Sequence, residues 1–531
     1  MQASQTGSPL APWKPRFNPW LIAMVVALAA FMEVLDTSIC NVALPHIAGG
    51  LGSSEDESTW VLTTYLVSNA IVLPITGWIS SAIGRKRFFL LCIVLFMISS
   101  LLCGIAPSLQ FLLFARVLQG AGGGGMQPMA QAIMADSFPP HKRGQAFALF
   151  GVTTVVAPAL GPTLGGWITD NYTWRWIFFI NIPVGLLTLA LVYKLVEDPP
   201  FLRRFKPGQM RLDGIGFALL ALGVGALQIL LDKGQEDDWF SSRFIVTLAV
   251  IVVVCLGALI PWEWRHKQPI VDVHLFRSLN FCSTSAVMFM AGVVMFVSTI
   301  LMPQFLQTLA GYTAVDAGIV VSIGAASALI ILPIAGLLTG YVPAKYLVIF
   351  GWILSAIGSY FSSRLISLNV TFGQAALIMV LQYAPIGFIF IPTTTAAYFG
   401  IPHDRSDSVS GLTNFMRNIG SSVGTSIVQT LLARRTQFHI NRLGDHLTLS
   451  STALQVNLQD GVRRMVQLGI GRGSALTAVV ARAYEMLVMQ AMTLSYQDAY
   501  VFLVACGAVM FCLSFLLKSN DPKHTEVAMG H

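Results

Sequence analysis

Residues 20–44 read WLIAMVVALAAFMEVLDTSICNVAL, an apolar run broken by two acids, Glu33 and Asp36. At about 1.5 Å of helical rise per residue, such a run exceeds the hydrocarbon thickness of a bilayer. Lys14 and Arg16 precede it, as basic residues precede a secretory signal. The run is too long for the apolar core of a signal peptide and carries charge, so a retained first transmembrane helix is expected.

Runs of this kind recur along the chain. Spanning segments are expected near 20–44, 58–82, 88–106, 109–135, 143–169, 174–195, 212–231, 243–263, 279–307, 315–339, 344–362, 370–398, 405–433 and 497–518. Composition agrees. Of 531 residues, 55% are hydrophobic and 11% charged, with a mean hydropathy of +0.70. A soluble protein carries roughly 25% charged residues, because its surface must face water. The expected fold class is therefore an all-α polytopic membrane protein with fourteen crossings.

The net charge of +7 does not mark a nucleic-acid partner. Lys and Arg are scattered through short segments between apolar runs rather than gathered on one face. Arg85, Lys86, Arg87, Lys142, Arg143, Arg203, Arg204, Lys206 and Arg211 fall on the side of the N-terminus. The short loops opposite hold only Arg175, Lys233, Arg243 and Arg364. By the positive-inside rule both termini are expected in the cytoplasm, with the chain in the inner membrane. The organisation expected is a tail over 1–19 and a six-helix bundle over 20–198. A two-helix linker over 199–270, a second six-helix bundle over 271–518 and a cytoplasmic tail over 519–531 follow.

The second bundle is interrupted by a mostly polar segment, 434–496, on the outer face. Leu476, Val479, Val480, Ala483, Leu487 and Ala491 keep helical spacing within it. It reads either as a self-packed helical cap or as a docking surface for a periplasmic partner. A faint repeat relates the halves: Gly77 precedes Lys86 as Gly336 precedes Lys345. Internal repeats are how many secondary transporters are built.

No enzyme chemistry stands out. All seven cysteines lie in apolar runs, and the nine histidines do not cluster, so neither a disulfide framework nor a metal is expected. No GxxxxGK[ST] loop is present for ATP. The only expected energy source is the proton gradient.

The acids of the first helix carry the chemistry. Charge inside a bilayer costs roughly 2.5–3.5 kcal/mol on insertion scales, and Glu33 and Asp36 lie three apart on one helical face. Carboxyls gain and lose protons, so this pair is what a proton-coupling site needs. A structural acid bonded to a neighbouring helix is the alternative. Arg116, in RVLQGAGGGG over 116–125, also sits inside a span and must find acceptors. It either communicates with these acids or serves packing alone. GWISSAIGRKR over 77–87 combines a tight glycine turn with anchoring cations. APALGPTLGG over 157–166 places Pro158 and Pro162 beside a Gly161/Gly165 face, giving a kinked helix able to pack closely.

Together these stretches resemble the major facilitator superfamily. Within it the chain is similar to the fourteen-helix drug:proton antiporters, the EmrB/QacA group. Leu35–Pro45, Gly77–Arg87, Arg116–Gly120 and Gly161–Gly166 look like that group's motifs. Asp170–Trp176, Phe178–Pro183, Leu231–Gly234, Asp238–Phe240 and Asn414 with Phe415 and Arg417 are similar to EmrB-like members in particular.

The resemblance implies two six-helix bundles, two linker helices and a central cavity that opens alternately to each side. It implies proton-driven efflux of hydrophobic toxic compounds through a periplasmic adaptor (EmrA-like) and an outer-membrane channel (TolC-like). A dedicated exporter of one metabolite, such as a siderophore, fatty acid or aromatic acid, is the alternative. Asp36, assisted by Glu33, is expected to carry the proton, and Arg116 to couple it to opening. Gly77, Gly84, Arg85, Lys86, Pro158, Gly161, Pro162 and Gly165 are expected to serve gating. Asn41, Gln119, Asn414 and Arg417 are expected in the cavity or its frame. Ser81 stands where the loop motif usually has an aspartate, which puts the usual latch between bundles in doubt.

Overall fold

A computed structural model gives the structure of the chain and describes residues 13–200, 213–445 and 452–519. The expected cytoplasmic cations Arg203, Arg204, Lys206 and Arg211 lie outside the described residues. Every regular element described is a helix.

The first bundle begins with α1 (Pro19–Leu51), capped by the Asn18 side chain, which accepts from the Trp20 amide at 2.9 Å. α2 (Glu55–Ile83) opens on a reciprocal cap between Ser54 and Glu57. A single residue, Gly84, separates it from α3 (Arg85–Gly104). Its φ of 95° favours glycine. α4 (Leu109–Gly123) stops in the glycine run and resumes as α5 (Met126–Ser137). α6 (Pro140–Asn171), the one-turn α7 (Trp176–Phe179) and α8 (Asn181–Leu195) complete the bundle.

The linker pair is α9 (Gly214–Lys233) and α10 (Arg243–Arg265). The second bundle comprises α11 (Leu279–Thr308), α12 (Ala314–Leu338), α13 (Ala344–Leu365), α14 (Phe372–Ala397), α15 (Ser406–Gly444), α16 (Thr452–Gln467) and α17 (Arg472–Ser514).

By length and composition, twelve described helices could cross a membrane. Two further crossings escape that criterion for physical reasons. The fourth is split at Gly124–Gly125 into α4 and α5, each too short alone. α15 is rich in Ser, Thr and Asn, because that face packs against protein rather than lipid. With these two the count is the expected fourteen.

The 434–496 segment differs from the expected polar insertion. α15 continues to Gly444, and α17 begins at Arg472. At about 1.5 Å per residue, α17 runs to about 65 Å, roughly twice the hydrocarbon thickness. Hydropathy marks only the part of a helix that meets lipid; pairing between α15 and α17 sustains the rest. Asp498 on α17 accepts from Arg435 Nε at 2.5 Å and pairs with His439 Nε2 at 2.8 Å. Farther out, α16 rests on α17 where Gly461 meets Val479.

Two symmetric seams join the bundles. Gly77 of α2 lies so close to Ser408 of α15 that a Cβ there would collide with it. Gly336 of α12 meets Gly144 of α6 in the same way. The lysines nine positions on are equivalent too. Lys86 Nζ donates to the Tyr193 carbonyl at the end of α8, at 2.6 Å. Lys345 Nζ donates to the Phe515 carbonyl just past α17, at 2.7 Å. The faint repeat is therefore a repeated tie between the third and sixth crossings of each bundle.

Candidate functional site

Asp36 lies midway along α1, sealed inside the first bundle at 2% exposure. Its Oδ2 accepts from Arg116 Nη1 at 2.7 Å. Its Oδ1 accepts from Gln119 Nε2 at 2.9 Å and Asn181 Nδ2 at 2.6 Å. Arg116 is fully buried. It also donates from Nε to the Val61 carbonyl and from Nη1 to Gln119 Oε1. Residues 116 and 119 are one helical turn apart on α4, so both reach the same carboxylate. A buried charge persists when it is paired and hydrogen-bonded, and this one is both.

Glu33 lies one turn earlier and faces different partners. It accepts from Tyr65 Oη and Asn69 Nδ2, each at 3.1 Å, and from Gln127 Nε2. The Tyr65 ring also lies 4.3 Å from the Arg116 guanidinium, so one aromatic side chain touches both acid clusters. Gln127 turns its other end to the second bundle, where its Oε1 accepts from Arg417 Nη2 at 2.5 Å. One turn along α5, Gln131 Oε1 accepts from Asn414 Nδ2 at 2.7 Å.

Arg417 also lines a cavity among α11, α13, α14 and α15. Its other walls are mainly apolar, with Val294, Met295, Ile386, Ile389 and Phe390 prominent.

At the end where α1 begins, a charged latch joins the bundles. Arg85 Nη1 contacts Asp136 Oδ2 at 2.7 Å within the first bundle. Its Nε contacts Asp407 Oδ1 of α15 at 2.6 Å. Asp407 also accepts from Ser80, and Asp136 accepts from Ser406 at 3.1 Å. Ser81 takes no part in the latch: its hydroxyl donates to the Gly77 carbonyl at 2.9 Å, and the acid that meets Arg85 across the seam is Asp407. Among the described residues, hydrogen bonds and ion pairs between the bundles run from this latch to Gln127–Arg417 and no farther.

The α6 prolines have a specific partner. Pro162 lacks the N–H that would bond the carbonyl of residue 158. Ser38 Oγ of α1 donates to that carbonyl instead, at 3.3 Å. Gly161 and Gly165 admit Ser38 and Ile39 on the same face.

The structure thus gathers Asp36, Arg116 and Gln119 in one cluster and leaves Glu33 in another, with Arg417. Asn41 is exposed and stands apart from both. Sequence reasoning missed Tyr65, Asn69, Gln127, Asn181, Asp136 and Asp407. Gln127 and Gln131 carried a readable signal, two amides one turn apart in a span. The pairing of Asp407 with Arg85, across more than 300 positions, carried none.

Twelve crossings in two symmetric bundles with two more between them, a charge pair sealed inside one bundle and a cavity beside their junction have the architecture of a membrane transporter. The model of the Major Facilitator Superfamily matches residues 26–425, and the chain belongs to that superfamily. It is 37% identical over 501 residues to the multidrug export protein EmrB of Escherichia coli K12, covering 94% of this chain and 96% of that one. It is 37% identical over 466 residues to the fatty acid resistance protein FarB of Neisseria gonorrhoeae, covering 88% and 90%. A double-tryptophan mutant of XylE superposes with a TM-score of 0.59 at 14% identity, covering 95% and 96%, which shows the shared fold.

Proposed function

We propose that the protein is a proton-coupled multidrug efflux permease of the bacterial inner membrane, exporting hydrophobic toxic compounds in exchange for protons. The carrying observation is the Asp36–Arg116 pair, buried and closed off from the bundle junction. Protonating Asp36 would remove one charge and leave the other unpaired in a dry interior, which costs about 3–5 kcal/mol. That penalty is large enough to shift the balance between two packings of the bundle. Tyr65 then conveys the change to Glu33, whose contacts reach the second bundle through Gln127.

Gly77, Gly84, Arg85 and Lys86 form the gate at the end where α1 begins. Pro158, Gly161, Pro162 and Gly165 let α6 slide on α1. Gln119 frames the proton site, and Asn414 with Arg417 frames the junction. The cations of that end support cytoplasmic termini. The similarity to EmrB supports multidrug export. It also favours work alongside a periplasmic adaptor (EmrA-like) and an outer-membrane channel (TolC-like), for which the α15–α17 extension is the docking surface. Similarity to FarB supports a second reading, a dedicated exporter of fatty acids.

The test is transport by purified protein in proteoliposomes, against a panel of lipophilic cations, neutral compounds and acids. The account expects uptake of several chemically unrelated compounds that rises when a pH gradient is imposed. Gradient-independent transport would reject proton coupling, and transport of fatty acids alone would establish the second reading.

A further inference from the structure

Direct bonds between the bundles stop at Gln127–Arg417, yet the half of the α2–α15 seam away from the latch is bridged. α9, the first linker helix, packs on both α2 and α15 there. Toward the second bundle, Gln228 is 2% exposed. Its Nε2 donates to Ser422 Oγ of α15 at 2.8 Å, and its Oε1 accepts from the same hydroxyl at 3.1 Å. Just past α9, Trp239 Nε1 donates to Thr430 Oγ1 of α15 at 3.0 Å. Toward the first bundle, Asp232 accepts from Thr63 Oγ1 of α2. The buried Lys233 donates to Thr59 Oγ1 at 2.5 Å and lies 5.8 Å from the centre of the Trp60 ring.

The two sets of ties differ in kind. Those to α2 are charged, and a hydrogen bond with an ionised partner is roughly twice as strong as a neutral one. The cation over the Trp60 ring adds to them. Those to α15 join an amide, an indole and hydroxyls, whose bonds water replaces with little net loss. When the seam parts along this half, α9 therefore stays with α2 and releases α15. The turn after α9 is built to present the indole. Asp238 and Trp239 sit at φ 54° and 51°, a backbone that costs free energy and persists only where its surroundings impose it. Trp239 lies against Gly234, where a Cβ would fall 2.8 Å from the ring, and Gln235 Oε1 accepts from the same indole at 3.1 Å.

We propose that the linker pair is a clasp. Carried on the first bundle, it closes the far half of the α2–α15 seam by gripping α15 with Gln228 and Trp239. It lets go of α15, not of α2, each time that half opens. This goes beyond the export reading and shares with it only the premise that the bundles take two arrangements. Asp232 and Lys233 are the foot of the clasp, and Trp239 is its grip.

The first test is distance measurement between spin labels on the full chain in nanodiscs. The exposed native cysteines, Cys282 and Cys512, are replaced by serine. A label at the exposed Arg243 of α10 is paired with one at the exposed Asp56 of α2 or Gln437 of α15. Q228L/W239F removes the bonds to α15. It is expected to shift the 243–437 distribution to longer distances and to leave the 243–56 distribution as in the wild type. An unchanged 243–437 distribution, or lengthening of 243–56 instead, would overturn the clasp. The second test is pH-driven uptake of ethidium in proteoliposomes. W239C/T430C bridged by a short bis-methanethiosulfonate is expected to lose uptake and to regain it when dithiothreitol cleaves the bridge. T63C/D232C bridged in the same way is expected to keep it. Continued uptake by bridged W239C/T430C would overturn the clasp and leave the export reading standing. Absence of pH-driven uptake from every protein, with the distances as expected, would do the reverse.

Discussion

At the scale of single residues, the account turns on charges held where charge is expensive. Glu33, Asp36 and Arg116 were legible from sequence, because a charged letter within an apolar run is conspicuous. Their grouping was not. Hydropathy does not fix the rotation of a helix, so nothing in the chain showed that Asp36 faces Arg116 while Glu33 faces Gln127. Asn181, which completes the cage around Asp36, lies 145 positions away. Removing one partner of a buried pair costs about 3–5 kcal/mol. R116Q should therefore lower thermal stability in detergent markedly, and R116Q/D36N should recover part of the loss because no unpaired charge remains. Equal melting of all three proteins would show the pair to be energetically idle.

At the scale of elements, pairing depends on small residues and borrowed hydrogen bonds. The glycine run at 122–125 suggested close packing, and it also breaks the fourth crossing in two. The α6 prolines were read as kinks, and the compensating Ser38 hydroxyl was invisible, since it comes from 120 positions away. Loss of one such hydrogen bond costs roughly 1 kcal/mol. S38A should thus be only mildly destabilising, while G161L, which drives bulk into Ser38, should block transport. Full transport by G161L would show that α1 and α6 need not approach so closely. The helical extension of α15 and α17 was underread for a plain reason. Its polar surface meets neither lipid nor a continuous core, so periodicity reports it weakly.

At the scale of the whole molecule, two symmetric seams and one latch hold the bundles in this arrangement. The fourteen crossings were legible from the apolar runs, and their six-two-six division from the Gly77/Gly336 repeat and the family resemblance. The latch was not, because Ser81 argued against it and the acid that meets Arg85, Asp407, comes from the other bundle. D407N removes the charge that crosses the seam but leaves Arg85 its partner Asp136. Spin labels at the exposed positions Arg87 and Pro402 should then report a larger population of long distances than in the wild type. An unchanged distribution would assign the closure to the glycine seams alone.

In the proposed antiport, substrate and proton cross in opposite directions through one coupled cycle. Its most direct measurement is proton movement evoked by substrate in proteoliposomes loaded with a pH-sensitive dye, with the membrane potential clamped. Adding a transported compound outside should raise the internal pH in the wild type, as entry of substrate drives protons out. The signal should vanish in D36N. An equal pH change in D36N, or substrate entry with no pH change in the wild type, would contradict the account.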